Sequence, residues 1–205
     1  MVRILIIASR NRGKIAEFRE ILHDLPARIL SLFDLPAAPE VVEDGRSFAE
    51  NARKKAVEIA RFSGEWVLAD DSGLEVDALD GQPGIHSARF SGGRDEGNND
   101  KLLRELCEVL PPARTARYRA HIAVADPSGR IVAEAEGACE GVIGFERRGT
   151  AGFGYDSLFV VPEYGRTMAE LGDEIKNRIS HRARALDRLR PLLLRAIDPA
   201  EGGTV

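Results

Sequence analysis

The sequence predicts an α/β protein: a mixed, twisted sheet with flanking helices, a projecting β-hairpin lobe, and a ligand cleft between the lobes. Three observations carry that expectation. Short apolar runs alternate with segments whose apolar residues recur at helical spacing. Residues 116–135 alternate in a second pattern that doubles back at a Pro-Gly turn. The chain has 205 residues, 43% of them hydrophobic and 30% charged, which suits a sizeable core in one domain or at most two small lobes. A single domain over 1–198 with a frayed tail at 199–205 is the expected organisation.

The elements follow in order. Residues 3–8 form a short, β-rich apolar run and read as a buried strand. From Lys14, the residues Ile15, Phe18, Ile21, Leu22 and Leu25 fall at helical spacing, and Pro26 stops that helix. Residues 34–46 are rich in Pro, Gly and acids and read as a loop. Ser47 and Glu50 form an S-x-x-E capping box, opening a helix that runs to about Phe62 and ends at Gly64. Trp66, Val67, Leu68 and Ala69 make a second buried strand, expected to halt at Asp70-Asp71-Ser72-Gly73. The glycine-rich, polar segment 80–99 reads as a long ordered loop. Leu102, Leu103, Leu106, Val109 and Leu110 mark a helix closed by Pro111 and Pro112. The hairpin turns at Asp126-Pro127-Ser128-Gly129. Residues 157–161 form another strand. Thr167 and Glu170 form a second capping box. Ile179, Ala183, Leu186 and Leu189 mark a last helix, kinked or restarted at Pro191.

Net charge is −4, which argues against a generally basic nucleic-acid binder, because such proteins need surplus cations to displace phosphate counterions. The basic residues are 24 Arg and 5 Lys, a bias without functional content. Cys107 and Cys139 form neither a metal motif nor a disulfide framework, which fits a reducing cytosol. The apolar run near the start is too short for a signal-peptide core or a membrane span. A soluble, cytoplasmic protein is expected, with no membrane or nucleic-acid partner.

Four segments have the residue types for chemistry. Ser9, Arg10, Asn11, Arg12, Gly13 and Lys14 lie where a strand feeds a helix, so free N–H groups, the helix dipole and positive charge favour a phosphate. The turn is not a Walker A loop: Ala8 stands where the first Gly belongs, and Ile15 follows the lysine. Read alone, it is equally an ordinary solvated turn. Asp70, Asp71 and Ser72 end a buried strand. Adjacent carboxylates repel, and a divalent cation such as Mg²⁺ relieves that repulsion. One of them can also serve as a general base, although Asp-Asp-Ser-Gly is also common turn chemistry. Glu43 and Asp44, with Glu40 close by, offer further carboxylates, whereas Glu50 is accounted for by its capping box. Gly152, Phe153, Gly154, Tyr155 and Asp156 place an aromatic between glycines, fit to stack on a base or, more blandly, to fill the core. Lys176 to Arg182 open a stretch, 176–195, with seven Lys or Arg against one acid, Asp187. Lys176, His181 and Arg182 are candidates to hold phosphates or a base carbonyl, with Ser180 as a helix cap. Arg184, Arg188 and Arg195 fit a solvated face.

At these residues the chain resembles the inosine triphosphate pyrophosphatase (dITP/XTP pyrophosphatase) family. The family's S/T-x-N-x-x-K is Ser9, Asn11 and Lys14, and its F-x-E-N-A-x-x-K-A runs from Phe48 to Ala56. A-D-D-S-G-L-x-V-D-x-L runs from Ala69 to Leu79, and P-G-x-x-S-A-R-[FY] from Pro83 to Phe90. G-F-G-Y-D occupies 152–156, and A-E-L…K-N-x-I-S-H-R-A runs from Ala169 to Ala183. Ser157 stands where the family usually has Pro, and Arg10 where many members have Gly. The resemblance implies hydrolysis of ITP, dITP and XTP to the monophosphate and pyrophosphate, with Mg²⁺, in a homodimer that keeps deaminated purines out of the nucleotide pool. It implies Asp71 as proton acceptor, and Glu43 and Asp71 as magnesium ligands supported by Asp70. Ser9 to Lys14 would hold the triphosphate with Ser72 beside it. Phe153, Gly154, Tyr155, Asp156, Lys176, His181 and Arg182 would enclose the base. Two alternatives remain at this level: a pyrophosphatase for another modified nucleotide, and a non-catalytic nucleotide- or RNA-binding module using the 176–195 patch.

Overall fold

The computed structural model describes residues 2–197, so the tail expected from 199 lies outside the described residues. Seven strands form one sheet: β1 (Arg3–Ile7), β2 (Ala27–Ser31), β3 (Trp66–Val76), β4 (Thr115–Ala125), β5 (Ile131–Ile143), β6 (Phe159–Val161) and β7 (Arg166–Thr167). Their order across the sheet is β2-β1-β3-β4-β5-β6-β7. β1 pairs in parallel with β2 on one side and β3 on the other, whereas β5–β6 and β6–β7 are antiparallel. The sheet is therefore mixed, as expected. Among the described residues, five α-helices accompany it: α1 (Arg12–Ile21), α2 (Phe48–Ser63), α3 (Asp95–Glu105), α4 (Met168–Ile179) and α5 (His181–Ile197).

Several expectations change. β3 does not halt at Asp70; Asp70, Asp71 and Ser72 are strand residues. Segment 80–99 is not one loop. It carries a 3₁₀ segment over 84–89, and α3 begins at Asp95. The strands of the hairpin are the fourth and fifth members of the sheet. Residues 168–179 form a separate helix, broken internally at Gly172 (φ 75°), before Ser180 caps the next helix by accepting from Ala183 N. Pro191 lies inside α5 without ending it.

The chain divides into two compact units. The first comprises 2–71, 121–136 and 184–197, and the second 72–120 and 137–183. In the first, Ala52, Ala56, Ile59 and Ala60 of α2 pack with Ile6, Val67 and Ala69 of β1 and β3. Three alanines on that face let the helix lie close to the sheet. Ser47 caps α2 by accepting from Glu50 N, while Glu50 reaches back to Arg46 N, so the structural role expected of Glu50 holds. In the second unit, Leu74, Val76, Leu102, Leu106, Tyr118, Tyr155 and Phe159 share a core. Each large apolar side chain buried this way contributes about 1.5–3 kcal/mol.

Candidate active site

The parallel pairing of β1 with β3 places the first cluster. Ile7 faces Leu68 in the register, and Ala8 N donates to Leu68 O at 2.8 Å. The residues that follow each strand segment therefore emerge at the same sheet end, where ligands of open α/β sheets bind. Ser9 Oγ accepts from Asn11 N at 3.1 Å, and Asn11 Oδ1 caps α1 by accepting from Lys14 N at 3.0 Å. Lys14 Nζ then lies 2.7 Å from Asp70 Oδ2, on a carboxylate side chain only 1% exposed. Both arginines of the turn are engaged elsewhere. Arg10 donates to Ala38 O at 3.0 Å, and the Arg12 guanidinium lies 4.9 Å from the Phe33 ring centre. The turn thus offers backbone N–H groups and one lysine more than an arginine clamp.

Asp71 is buried, and α2 governs it. Asn51 Nδ2 donates to Asp71 Oδ2 at 2.9 Å, while Asn51 Oδ1 accepts from Gly45 N at 2.8 Å. One side chain thereby joins the carboxylate to the 41–46 loop. One helical turn on, Lys55 donates to Asp70 O at 3.0 Å and forms an ion pair with Glu43 of that loop. Lys54 pairs with Asp44 at 2.6 Å and fastens the loop from outside. Burial raises the Asp71 carboxyl above the usual aspartate range. Lys14, Lys55 and the Asn51 hydrogen bond pull it back, and Glu43 pushes it up again. A carboxylate with raised proton affinity is a better base at neutral pH.

These donors fit a hard divalent cation of the magnesium kind. Glu43 and Asp71 are oxygen donors close enough to repel one another. The cluster of Glu43, Asp70, Asp71, Lys14 and Lys55 holds one more carboxylate than ammonium before any phosphate arrives. No group of three or more His, Cys, Asp or Glu side chains forms a closed metal cage among the described residues. Magnesium does not require one, since it characteristically takes one or two carboxylates and completes its shell with water and phosphate oxygens.

The second cluster belongs to the second unit. Phe153 sits between Gly152 (φ 77°) and Gly154 (φ 62°), left-handed positions that favour glycine. A Cβ at Gly152 would also run into the Asp156 carboxylate. Asp156 Oδ2 accepts from Phe153 N at 3.0 Å and forms a buried ion pair with Lys176. The Phe153 ring is half-buried rather than a core plug. Lys176 Nζ lies 4.5 Å, and the Arg182 guanidinium 5.3 Å, from its centre. Cations at such range are attracted to the ring's negative face. Arg182 also donates to Ser72 Oγ at 2.8 Å. His181 stacks on Tyr118, with centroids 4.8 Å apart and planes 12° apart. Tyr155 is different in kind: its side chain belongs to the core, and its hydroxyl donates to Ser87 O at 2.8 Å.

The structure therefore brings the expected residues together in two groups. Ser9, Asn11, Gly13, Lys14, Glu43, Asp70 and Asp71 belong to the first unit. Ser72, Phe153, Gly154, Asp156, Lys176, His181 and Arg182 belong to the second. Arg184, Arg188 and Arg195 are exposed, as a solvated face requires. Sequence reasoning missed Asn51 and Lys55. Their signal was present: they stand four apart on the helix face that carries the buried Ala52 and Ala56, where polar residues need a reason.

The model of the Ham1 family matches residues 5–192. A dITP/XTP pyrophosphatase of Desulforamulus reducens is 53% identical over 193 residues, covering 93% of this chain and 96% of its own. One of Geobacter sulfurreducens is 54% identical over 184 residues, covering 89% and 92%. Among solved structures, a HAM1 protein from Coxiella burnetii superposes with a TM-score of 0.84 at 38% identity, covering 94% of this chain and 98% of that one. With the two clusters, the mixed sheet and these matches in agreement, the chain belongs to the Ham1 family.

Proposed function

We propose that this chain hydrolyses the triphosphates of deaminated purines (ITP, dITP and XTP) to the monophosphate and pyrophosphate, removing them from the nucleotide pool. The observation that carries the reading is Asp71: a buried carboxylate of raised proton affinity, held by Asn51 and set between two lysines. Its neighbours suit phosphate chemistry, and relatives about half identical over most of their length are named dITP/XTP pyrophosphatases.

In this reading, Asp71 takes a proton from the water that attacks the α-phosphorus, and the bond from the α-phosphorus to the bridging oxygen breaks. Pyrophosphate leaves. Lys14, Lys55 and the free N–H groups that open α1 offset the charge on the phosphates and keep them in place, which is most of what a protein contributes to phosphoryl chemistry. Glu43 and Asp71 would hold Mg²⁺, which when bound polarises phosphate oxygens and acidifies water. Phe153 stacks on the base, a contact worth about 1–3 kcal/mol. Arg182 and Lys176 are donors suited to the keto oxygen of hypoxanthine or xanthine, against which adenine presents an amino group. Mispairing of buried donors is the kind of contrast that supports discrimination of about 10⁴–10⁵. The reading extends to a homodimer in the cytoplasm. In support, no helix among the described residues is long and apolar enough to cross a membrane, and the family resemblance implies the dimer.

The test is product analysis. Protein with Mg²⁺ is given ITP, XTP, GTP and ATP separately, and pyrophosphate and orthophosphate are measured apart. Pyrophosphate from ITP and XTP, with little from GTP or ATP, is the expected result. Orthophosphate, or no turnover of any of them, would turn attention to another substrate or to a binding role.

A further inference from the structure

We infer that the first turn of α3 is a positioning element for the base platform, acting through the Gly154 peptide unit. The inference rests on the reading of Phe153 as that platform. Asp95, the first residue of α3, accepts from Gly154 N at 2.7 Å. Asn99, four residues on and so on the same helix face, donates from Nδ2 to Gly154 O at 2.8 Å and to Asp95 O at 2.8 Å. Both polar groups of Gly154 are thus held by two side chains one helical turn apart.

The cost of this arrangement shows how firmly it is set. Asn99 is 4% exposed, and its Oδ1 is buried with no hydrogen-bond partner among the described residues. Turning the amide over would not help, because both partners of Nδ2 are carbonyl oxygens and only N–H can face them. Leaving a buried acceptor unmet is unfavourable, and here it accompanies delivery of both amide hydrogens.

Phe153 has few freedoms left. Its own N–H goes to Asp156, the peptide unit that follows it is gripped by α3, and Gly152 and Gly154 hold left-handed turns on either side. The neighbouring Asn98 extends the attachment. Its Oδ1 accepts from Ser91 N at 2.7 Å and its Nδ2 donates to Ser87 O at 3.3 Å, the carbonyl that also receives the Tyr155 hydroxyl. Ser87 Oγ in turn accepts from Leu74 N in β3 at 2.9 Å. The polar tip of α3 sets the height and tilt of the ring, and with it the affinity for the base.

The test uses the full chain, with Asp95→Ala, Asp95→Asn and Phe153→Ala. Asp95 is exposed, and both of its variants lose the helix-terminal charge, but only Asp95→Asn keeps an acceptor for Gly154 N. Asp95→Ala should raise KM for ITP and XTP about tenfold with kcat within about twofold, and Asp95→Asn should restore most of it. Inhibition by inorganic tripolyphosphate, which has no base, should be unchanged in all three. An unaltered KM in Asp95→Ala beside a raised KM in Phe153→Ala would overturn the clamp and leave the platform standing. A parallel weakening of tripolyphosphate would also overturn it, by showing a general structural effect. An unaltered KM in Phe153→Ala would overturn the platform itself.

Discussion

The two clusters are built by opposite means. In the first unit, the functional side chains stand on regular elements: Asp70 and Asp71 inside β3, Asn51 and Lys55 on one face of α2, Lys14 in the first turn of α1. Strand register and helix period place them, and charge answers charge. In the second unit, the central side chain, Phe153, stands on an irregular segment. It is fixed by glycine geometry, by Asp156 and by α3. On the proposed reading, the groups that meet the phosphate stand on regular elements and the ring that meets the base stands on an irregular segment, a division of labour whose halves can be tested separately.

The largest effect is expected at Asp71. Asp71→Asn keeps the shape and the Asn51 contact but removes the base, so kcat should fall by at least about 10³-fold, within the span general bases command. Circular dichroism should match the parent. Retained turnover would remove Asp71 from its assigned role. Next is Gly152→Ala, where a Cβ meets the Asp156 carboxylate and the backbone must stay left-handed. About 1–2 kcal/mol of strain follows from the backbone alone. KM for ITP should rise at least about tenfold, while the pH dependence of kcat stays as in the parent.

The smallest effect separates stability from function. Glu134, in the first unit, receives Arg53 through two hydrogen bonds and pairs with His121, which holds its carboxyl down at about 2 from an ordinary value of 4.5. A depressed carboxyl stabilises the fold fully above its unfolded value and loses that contribution as pH falls through the folded one. The window is therefore between about pH 4.5 and 2. The partners are 46% and 35% exposed, so solvent screening limits the effect to about 1 kcal/mol. Glu134→Gln should flatten the acid side of the urea-unfolding stability curve and leave KM and kcat at neutral pH unchanged. An undiminished acid slope would show that other carboxylates dominate.

Much of this was legible beforehand, for physical reasons that also mark its limits. β1, α1 and α2 announce themselves by apolar runs, period and caps. β2 did not, because Ala-Arg-Ile-Leu-Ser after Pro26 is short and mostly half-exposed. Asp70-Asp71-Ser72 has turn chemistry by composition. It persists as strand because Lys14 answers Asp70 and Asn51 answers Asp71, partners distant in sequence that local propensity cannot register. The start of α3 was hidden because residues 95–99 are polar. Asn98 and Asn99 are buried for their hydrogen bonds and leave no hydrophobic period to read. Candidate residues were legible where a motif names them, as at Lys14, Asp71 and Phe153. Among residues that hold others, Asn51 lies inside the motif from Phe48 to Ala56 without its role being spelled out, and Asp95 lies in none of the motifs.

The division of labour is tested most directly by one ratio: the Ki of inorganic tripolyphosphate, which has no base, divided by KM for ITP, measured in Lys14→Met and in Phe153→Ala. Lys14→Met should raise both values together and leave the ratio as in the parent, because its partner is the phosphate cluster. Phe153→Ala should raise KM for ITP and leave Ki unchanged, lowering the ratio about ten- to a hundredfold, the worth of a lost base stack. A ratio that falls as far in Lys14→Met as in Phe153→Ala would contradict the account, because base recognition and phosphate handling would then not be separable.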